Sequence, residues 1–203
     1  MTALVTVSAF FTIPFCIDGF PVLPLAVASV LMIFASRQAE ILYGPAVPRM
    51  RRISVISSVF SILSLISTAI FTAVWQKQAA LSIRRLYLQF SVPAVLRLVS
   101  SIAFAAVLIR AGELLKKTIR EHTGSPDPLP SEGRERENLA QKADLAMKIG
   151  AVLMIVSGAV SYILLYNFPI YQIFSSAASL VWAGYISKLM SQIVSGVRER
   201  YPD

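Results

Sequence analysis

Long apolar runs separated by short polar ones organise this chain. A membrane-crossing α-helix needs about 20 mostly apolar residues, because a hydrocarbon core about 30 Å thick is crossed at 1.5 Å per residue. Residues 53–75 (ISVISSVFSILSLISTAIFTAVW) carry no charge, and residues 86–109 (LYLQFSVPAVLRLVSSIAFAAVLI) carry only Arg97. Residues 149–166 and 168–190 follow with little more than Asn167 between them, which predicts a tight helical hairpin.

The first 36 residues are harder to divide. Apolar stretches 3–17 and 22–36 are each short, and Asp18-Gly19-Phe20-Pro21 lies between them. Proline lacks a backbone donor and glycine permits a sharp turn, so this punctuation breaks a helix. Two spans are expected, about 1–18 and 22–43, the second running through Arg37, Gln38 and Glu40 with its charged heads reaching the headgroups. One long broken helix or a re-entrant loop is the rival. No basic stretch precedes the first apolar run and no small-residue cleavage site follows it, so a cleaved signal peptide is not expected. The predicted fold class is all-α: a polytopic transmembrane helix bundle of about six spans, forming a single membrane domain over 1–203.

One long polar segment, 110–148, interrupts the pattern. Arg110 to His122 continues the fourth span as a helix, with Leu115 and Ile119 on one face. A flexible Pro-rich loop is expected from Ser125 to Gly133, where Pro126, Pro128 and Pro130 favour extended backbone. From Glu135 helix resumes, with Leu139, Ala143 and Ala146 on one side. These two stubs are expected to project from the membrane, too short to build a soluble domain.

Charge supplies the orientation. Of the 19 Lys and Arg, 15 fall in 37–52, 110–148 and the tail, against Lys77, Arg84 and Arg85 in the opposite connections. Basic loops stay on the cytoplasmic side, which predicts N-in and C-in. The net charge of +8 would suggest a nucleic-acid partner in a soluble protein, but a chain with 56% hydrophobic and 15% charged residues is not one. Its partners are expected to be the lipid bilayer and other membrane subunits or a second copy, with no nucleic acid. The location is an integral, multi-pass one in a membrane that the residues do not specify.

One Cys (Cys16) and one His (His122) exclude a disulfide framework and Cys/His metal clusters, and no cofactor is expected. There is no phosphate-binding GxxxxGK[ST], no Gly-x-Ser-x-Gly turn and no CxxC pair, so an enzyme is not expected. His122 beside Glu121 reads as a solvated surface pair. Three features remain. Ser54, Ser57, Ser61, Ser64, Thr68 and Thr72 recur at steps of three or four, on one face of span three. Small hydroxyl residues there allow close helix packing, or line a solute path. Ser175, Ser179, Ala183 and Ser187 repeat the pattern in span six, and Gly150 and Gly158 add close approaches in span five.

Arg97 lies inside span four, where an uncompensated charge costs about 2.5–3.5 kcal/mol at the helix centre. Asp18 is the only acid on the same side of the membrane in this topology. The two are expected to approach each other, with Thr68 or Thr72 as further acceptors, unless Arg97 reaches the outer headgroups by itself. Pro93 kinks the span one turn earlier. Finally Arg49, Arg51 and Arg52 abut span three, where such a cluster sets topology and contacts anionic lipid. The expected function is that of a non-catalytic membrane subunit or assembly scaffold. The alternative is a small-solute transporter or channel using the span-three hydroxyls with Asp18 and Arg97.

Overall fold

Proline opens three of the six helices, at the first helical position where a missing N–H forfeits no hydrogen bond and φ is already set for the helix. These are α3 (Pro48–Lys77), α5 (Pro130–Ile163) and α6 (Pro169–Arg200). They join α1 (Thr2–Phe10), α2 (Leu25–Tyr43) and α4 (Ile83–His122) in a computed structural model that is all-helical apart from one two-residue antiparallel pair. That pair, β1 (Cys16–Ile17) with β2 (Phe20–Pro21), sets Cys16 opposite Pro21 and Ile17 opposite Phe20 between α1 and α2. The structure describes residues 2–12, 16–17, 20–21, 25–43, 47–77, 83–122, 130–163 and 169–200.

Each helix packs against the next in the chain, and α1 also packs against α6, so the six close into a ring. Helix α4 touches α2, α3, α5 and α6 and is the central element. Three helices contain stretches long and apolar enough to cross a membrane, Arg49–Ile70, Ser91–Glu121 and Glu132–Val160.

Residues are sorted between core and surface in the reverse of the usual way. Val55, Ile56, Val59, Ile62, Leu63, Ile66 and Ile70 all face outward on α3, and Leu145, Ile149, Val152, Ile155 and Val156 do so on α5. Inside, alanines, methionines and hydroxyls are prominent beside larger side chains such as Phe104, Leu115 and Ile186, and every buried polar side chain among the described residues is a Ser or Thr. A contiguous apolar exterior of this extent is not tolerated in water, whereas in hydrocarbon helices associate through small residues that let backbones approach. The arrangement is compatible with a membrane protein.

The α4–α5 hairpin shows how this packing works. A Cβ added at Gly158 would lie 2.8 Å from Ser101 Cβ, and one added at Gly112 would lie 2.9 Å from Met147 Cβ. Both helices advance eleven residues between these two contacts, from 101 to 112 and from 158 back to 147. Eleven residues make three turns of nearly straight helix, so the same faces stay together throughout. Buried Ala105, Ala111, Ala143 and Ala151 carry the seam on either side of the glycines.

Several boundaries differ from the sequence expectation. Where a first span over 1–18 is expected, α1 covers nine residues, roughly 14 Å at 1.5 Å per residue, about half a bilayer core. Pro14 accounts for the stop, because it has no N–H to give to the Phe10 carbonyl, four residues before it. Thr12 Oγ1 donates to the Ala9 carbonyl at 2.6 Å, and the same carbonyl accepts the Thr12 N–H at 3.3 Å, which tightens the last turn. Helix α5 begins at Pro130, inside the segment expected to be loop, with Glu132 in its first turn where the helix dipole favours an acid. The rest of the Pro-rich loop, 123–129, lies outside the described residues.

The projecting stubs are also packed. Leu115 and Ile119 of α4, Ala140 and Ala143 of α5, and Leu189 and Ile193 of α6 are all buried in one core with the rest of the bundle. The extension of α6 to Arg200, ten residues beyond the predicted end, supplies the third wall that two stubs alone lack. From Arg110 to His122 this three-helix extension is roughly 18 Å long at 1.5 Å per residue.

Candidate functional site

The hydroxyl face of α3 lies where α2, α3 and α4 meet. Ser54, Ser57, Ser61 and Ser64 are all buried. Ser57 is the crossing point: its Oγ is 2.8 Å from Ser29 Oγ on α2 and donates to the Ser100 carbonyl on α4 at 3.2 Å. Ser100 Oγ in turn donates to the Ser57 carbonyl at 3.0 Å and is also bonded by Ser61 Oγ. A hydroxyl has one proton to give. One assignment uses all four: Ser29 to Ser57 Oγ, Ser57 to the Ser100 carbonyl, Ser100 to the Ser57 carbonyl, and Ser61 to Ser100 Oγ. No donor in this cluster is left over.

Beyond the cluster the hydroxyls turn to backbone. Ser54 Oγ donates to the Met50 carbonyl at 2.9 Å, and Thr68 Oγ1 to the Ser64 carbonyl at 2.8 Å, both one turn back on their own helix. Ser64 Oγ crosses instead to the carbonyl of Pro93 on α4, at 3.1 Å. Proline inside α4 is tolerated in such surroundings because neighbouring helices and hydroxyls supply polar partners around the interrupted ladder.

Arg97 is half-buried on α4. It lies one turn from Pro93, away from the α3–α4 connection, whereas Thr68 lies one turn from Ser64 toward it. The Ser64–Pro93 contact therefore separates Arg97 and Thr68 by two turns, roughly 12 Å along the axes. Thr72 belongs to α3, but its side chain and the whole of Asp18 lie outside the described residues.

The basic cluster at the start of α3 is exposed, with Arg51 Nη1 bonded to Glu40 Oε2 of α2 at 3.3 Å while Arg49 and Arg52 flank it. Further ion pairs lie in the polar segments. Arg110 pairs with Glu113 at 2.6 Å, Lys148 with Asp144 at 2.8 Å, and Arg120 of α4 clasps Glu137 of α5 at 2.6 Å. Hydrogen bonds from Arg120 and then Gln141 hold the Glu137 carboxyl down at about 2, and Glu137 raises the Arg120 guanidinium in return. Among the described residues no three His, Cys, Asp or Glu side chains gather as a metal site. A cleft of about 320 Å³ opens between α5 and α6, lined by Glu135, Asn138, Leu139, Lys142 and Gln192.

No protein-family model, curated protein or solved structure matches the chain.

Several residues of this arrangement escape a sequence reading. Ser29, and Ser100 beside Ser101, the partners of the α3 stripe, sit in runs where no serine stripe at helical spacing marks them out. Trp182 lies across Gly150 and donates its Nε1–H to the Ala146 carbonyl at 2.7 Å. The Gly150 signal was visible, but what fills the space above a glycine was not. Within span six, Ser179 and Ala183 are buried as the four-residue spacing predicts, while Ser175 and Ser187 are half-buried at its ends.

Proposed function

We propose that this chain is a multi-pass integral membrane protein, with the α2–α3 and α4–α5 connections and the end of α6 on the cytoplasmic side, working as a non-catalytic membrane subunit or assembly scaffold. The observation that carries the reading is the α2–α3–α4 seam. Its four hydroxyl protons are spent on one another and on two backbone carbonyls. A solute path needs donors and acceptors free to replace a hydration shell, and this stripe spends its own on holding helices together. The apolar exterior supports the membrane location. The basic connections support the orientation.

Helices α2 to α6 have the length to cross, whereas α1 reaches about half-way and packs between α2 and α6. Single cysteines at Lys117 and Lys77, in a chain with Cys16 replaced, test the orientation in sealed vesicles. The first should react only from the cytoplasmic face, and the second only from the other. Reconstitution with a panel of small solutes, beside affinity purification from the native membrane, tests the role. A fixed stoichiometric partner with no flux is expected. Flux lost on Ser57→Val or Arg97→Gln would overturn the scaffold reading in favour of a transporter.

A further inference from the structure

Each helix from α2 to α6 carries an exposed cation at or near one end of its exposed apolar face, with Leu145 lying beyond it on α5. On α2, Val30 and Phe34 are followed one turn later by Arg37, and on α3, Arg52 precedes Val55 and Ile56. Ile109 meets Arg110 on α4, Lys148 meets Ile149 on α5, and Tyr185 is followed by Lys188 on α6. In the orientation proposed above this ring marks the inner edge of the hydrocarbon.

The ring is unevenly neutralised. Arg110 and Lys148 each have a carboxylate on their own helix within 2.8 Å, and Arg51 has Glu40 at 3.3 Å. Among the described residues no ion pair reaches Arg37, Arg49 or Arg52. The Arg51–Glu40 bridge fixes α2 against α3 at this level. Arg37 lies three residues from Glu40 toward the bundle centre, Arg52 one residue from Arg51 the same way, and Arg49 two residues the other way. At 1.5 Å per residue the Cα atoms of the three arginines fall within roughly 8 Å along the axes, well inside the reach of their side chains.

Three guanidinium forks beside two apolar faces match a ligand with a phosphate at one end and acyl chains at the other. We infer that the inner α2–α3 edge is a docking site for the headgroup phosphate of an anionic phospholipid, bound by Arg37, Arg49 and Arg52. The acyl chains run along Phe34 and Val30 of α2 and along Ile56 and Val59 of α3, all exposed. Arg51 is the strut that holds the two helices together, its charge already taken by Glu40. The inference rests on the membrane reading, and it places the lipid at one pair of helices instead of around the whole basic rim.

The test uses the full chain in nanodiscs, with a reporter tryptophan at Phe34 and brominated lipid as quencher. Brominated phosphatidylglycerol is compared with brominated phosphatidylcholine at increasing mole fraction, with the chain lacking the reporter as background. The expected result is a preference for the anionic lipid that falls about fivefold per arginine replaced by Gln, and about 100-fold for Arg37, Arg49 and Arg52 together. Lys148→Gln should leave it unchanged. In the unsubstituted reporter chain the preference should weaken as salt is raised, a readout that holds even if the triple variant fails to fold.

A quench that does not distinguish the two lipids overturns the inference, as does a preference that survives the triple substitution. Equal protection of the site by inorganic phosphate in discs of neutral lipid would overturn the lipid as its occupant. Failure of the chain to enter discs at all, or its release from membranes by alkaline carbonate, would sink the membrane reading itself. Insertion without preference would sink only this site.

Discussion

Replacing Gly150 by alanine should destabilise the bundle, against the direction that helix propensity alone predicts. Alanine is favoured over glycine in a helix interior by about 1 kcal/mol. At Gly150, however, the added methyl would overlap the six-membered ring of the Trp182 indole and lie 2.8 Å from Nε1. The indole is 4% exposed and is held by its bond to the Ala146 carbonyl, one turn before Gly150. Its ring is rigid, so relief requires it to swing away or the helices to part. Overpacking of a well-filled site costs about 1–3 kcal/mol. Losing an interhelical hydrogen bond in a membrane bundle costs about 0.6 kcal/mol more. Against the propensity gain, the net expectation is a loss of about 0.6–2.6 kcal/mol.

Two controls separate the indole from other causes. With Trp182→Leu in the background the obstacle is flexible, and Gly150→Ala should become neutral or stabilising. Gly184→Ala on α6, where nothing lies within 4 Å of the added carbon, should be neutral or stabilising by up to about 1 kcal/mol. Unfolding from mild detergent by added SDS, followed by far-ultraviolet circular dichroism, gives all five stabilities. Gly150→Ala as stable as the parent, or an equal effect in both backgrounds, would refute the packing argument.

Ser100→Val should cost about 1–2 kcal/mol in the same assay, since it removes a donor to the Ser57 carbonyl and the acceptor for Ser61, while Ser67→Ala, whose hydroxyl serves only the Ser64 carbonyl of its own helix, should cost under about 0.5 kcal/mol. Glu137 is held below its ordinary 4.5, so its contribution is present above that pH and disappears as pH falls toward about 2. The stability difference between the parent and Glu137→Gln should therefore shrink across that window, and a constant difference would contradict the clasp. For the proposed pairing of Arg97 with Asp18, Arg97→Asp and Asp18→Arg should each lower the yield of folded protein, and the double exchange should restore it. No recovery in gel filtration would count against the pair.

The number and order of the helices were readable from the apolar runs, and the orientation proposed above rests on the charge of the connections alone. The shortness of α1 was also present in the residues, at Pro14, but weighed less than the run of apolar residues around it. What could not be read was the fate of residues 110–148. Leu115, Ile119, Leu139 and Ala143 give each stub only a narrow apolar face, and whether it is covered depends on α6, far downstream in the chain. Likewise the serines of α3 were placed on one face by their spacing, whereas the proton count that turns them into a closed cluster needs Ser29 and Ser100, which no local pattern points to.

Within the apolar segment of α5 the inner and outer faces differ in side-chain size. On α5 the buried positions are Ala140, Ala143, Ala146, Met147, Gly150, Ala151, Met154 and Gly158, and the exposed large ones are Leu145, Ile149, Val152, Ile155 and Val156. Neither face carries a charge at these positions, and side-chain volume separates them. The two kinds of core also answer mutation differently. In a water-soluble bundle, cutting a large aliphatic residue to alanine is the damaging change, because the large residues are inside. Here Ala151→Ile, at a position 2% exposed, should cost about 1–3 kcal/mol by overpacking. Ile155→Ala, at a position 41% exposed, leaves no cavity and should cost under about 0.5 kcal/mol in detergent. Should Ile155→Ala be the more damaging of the two, Ile155 is covered by another protein surface, and the face of α5 assigned to lipid belongs to an interface.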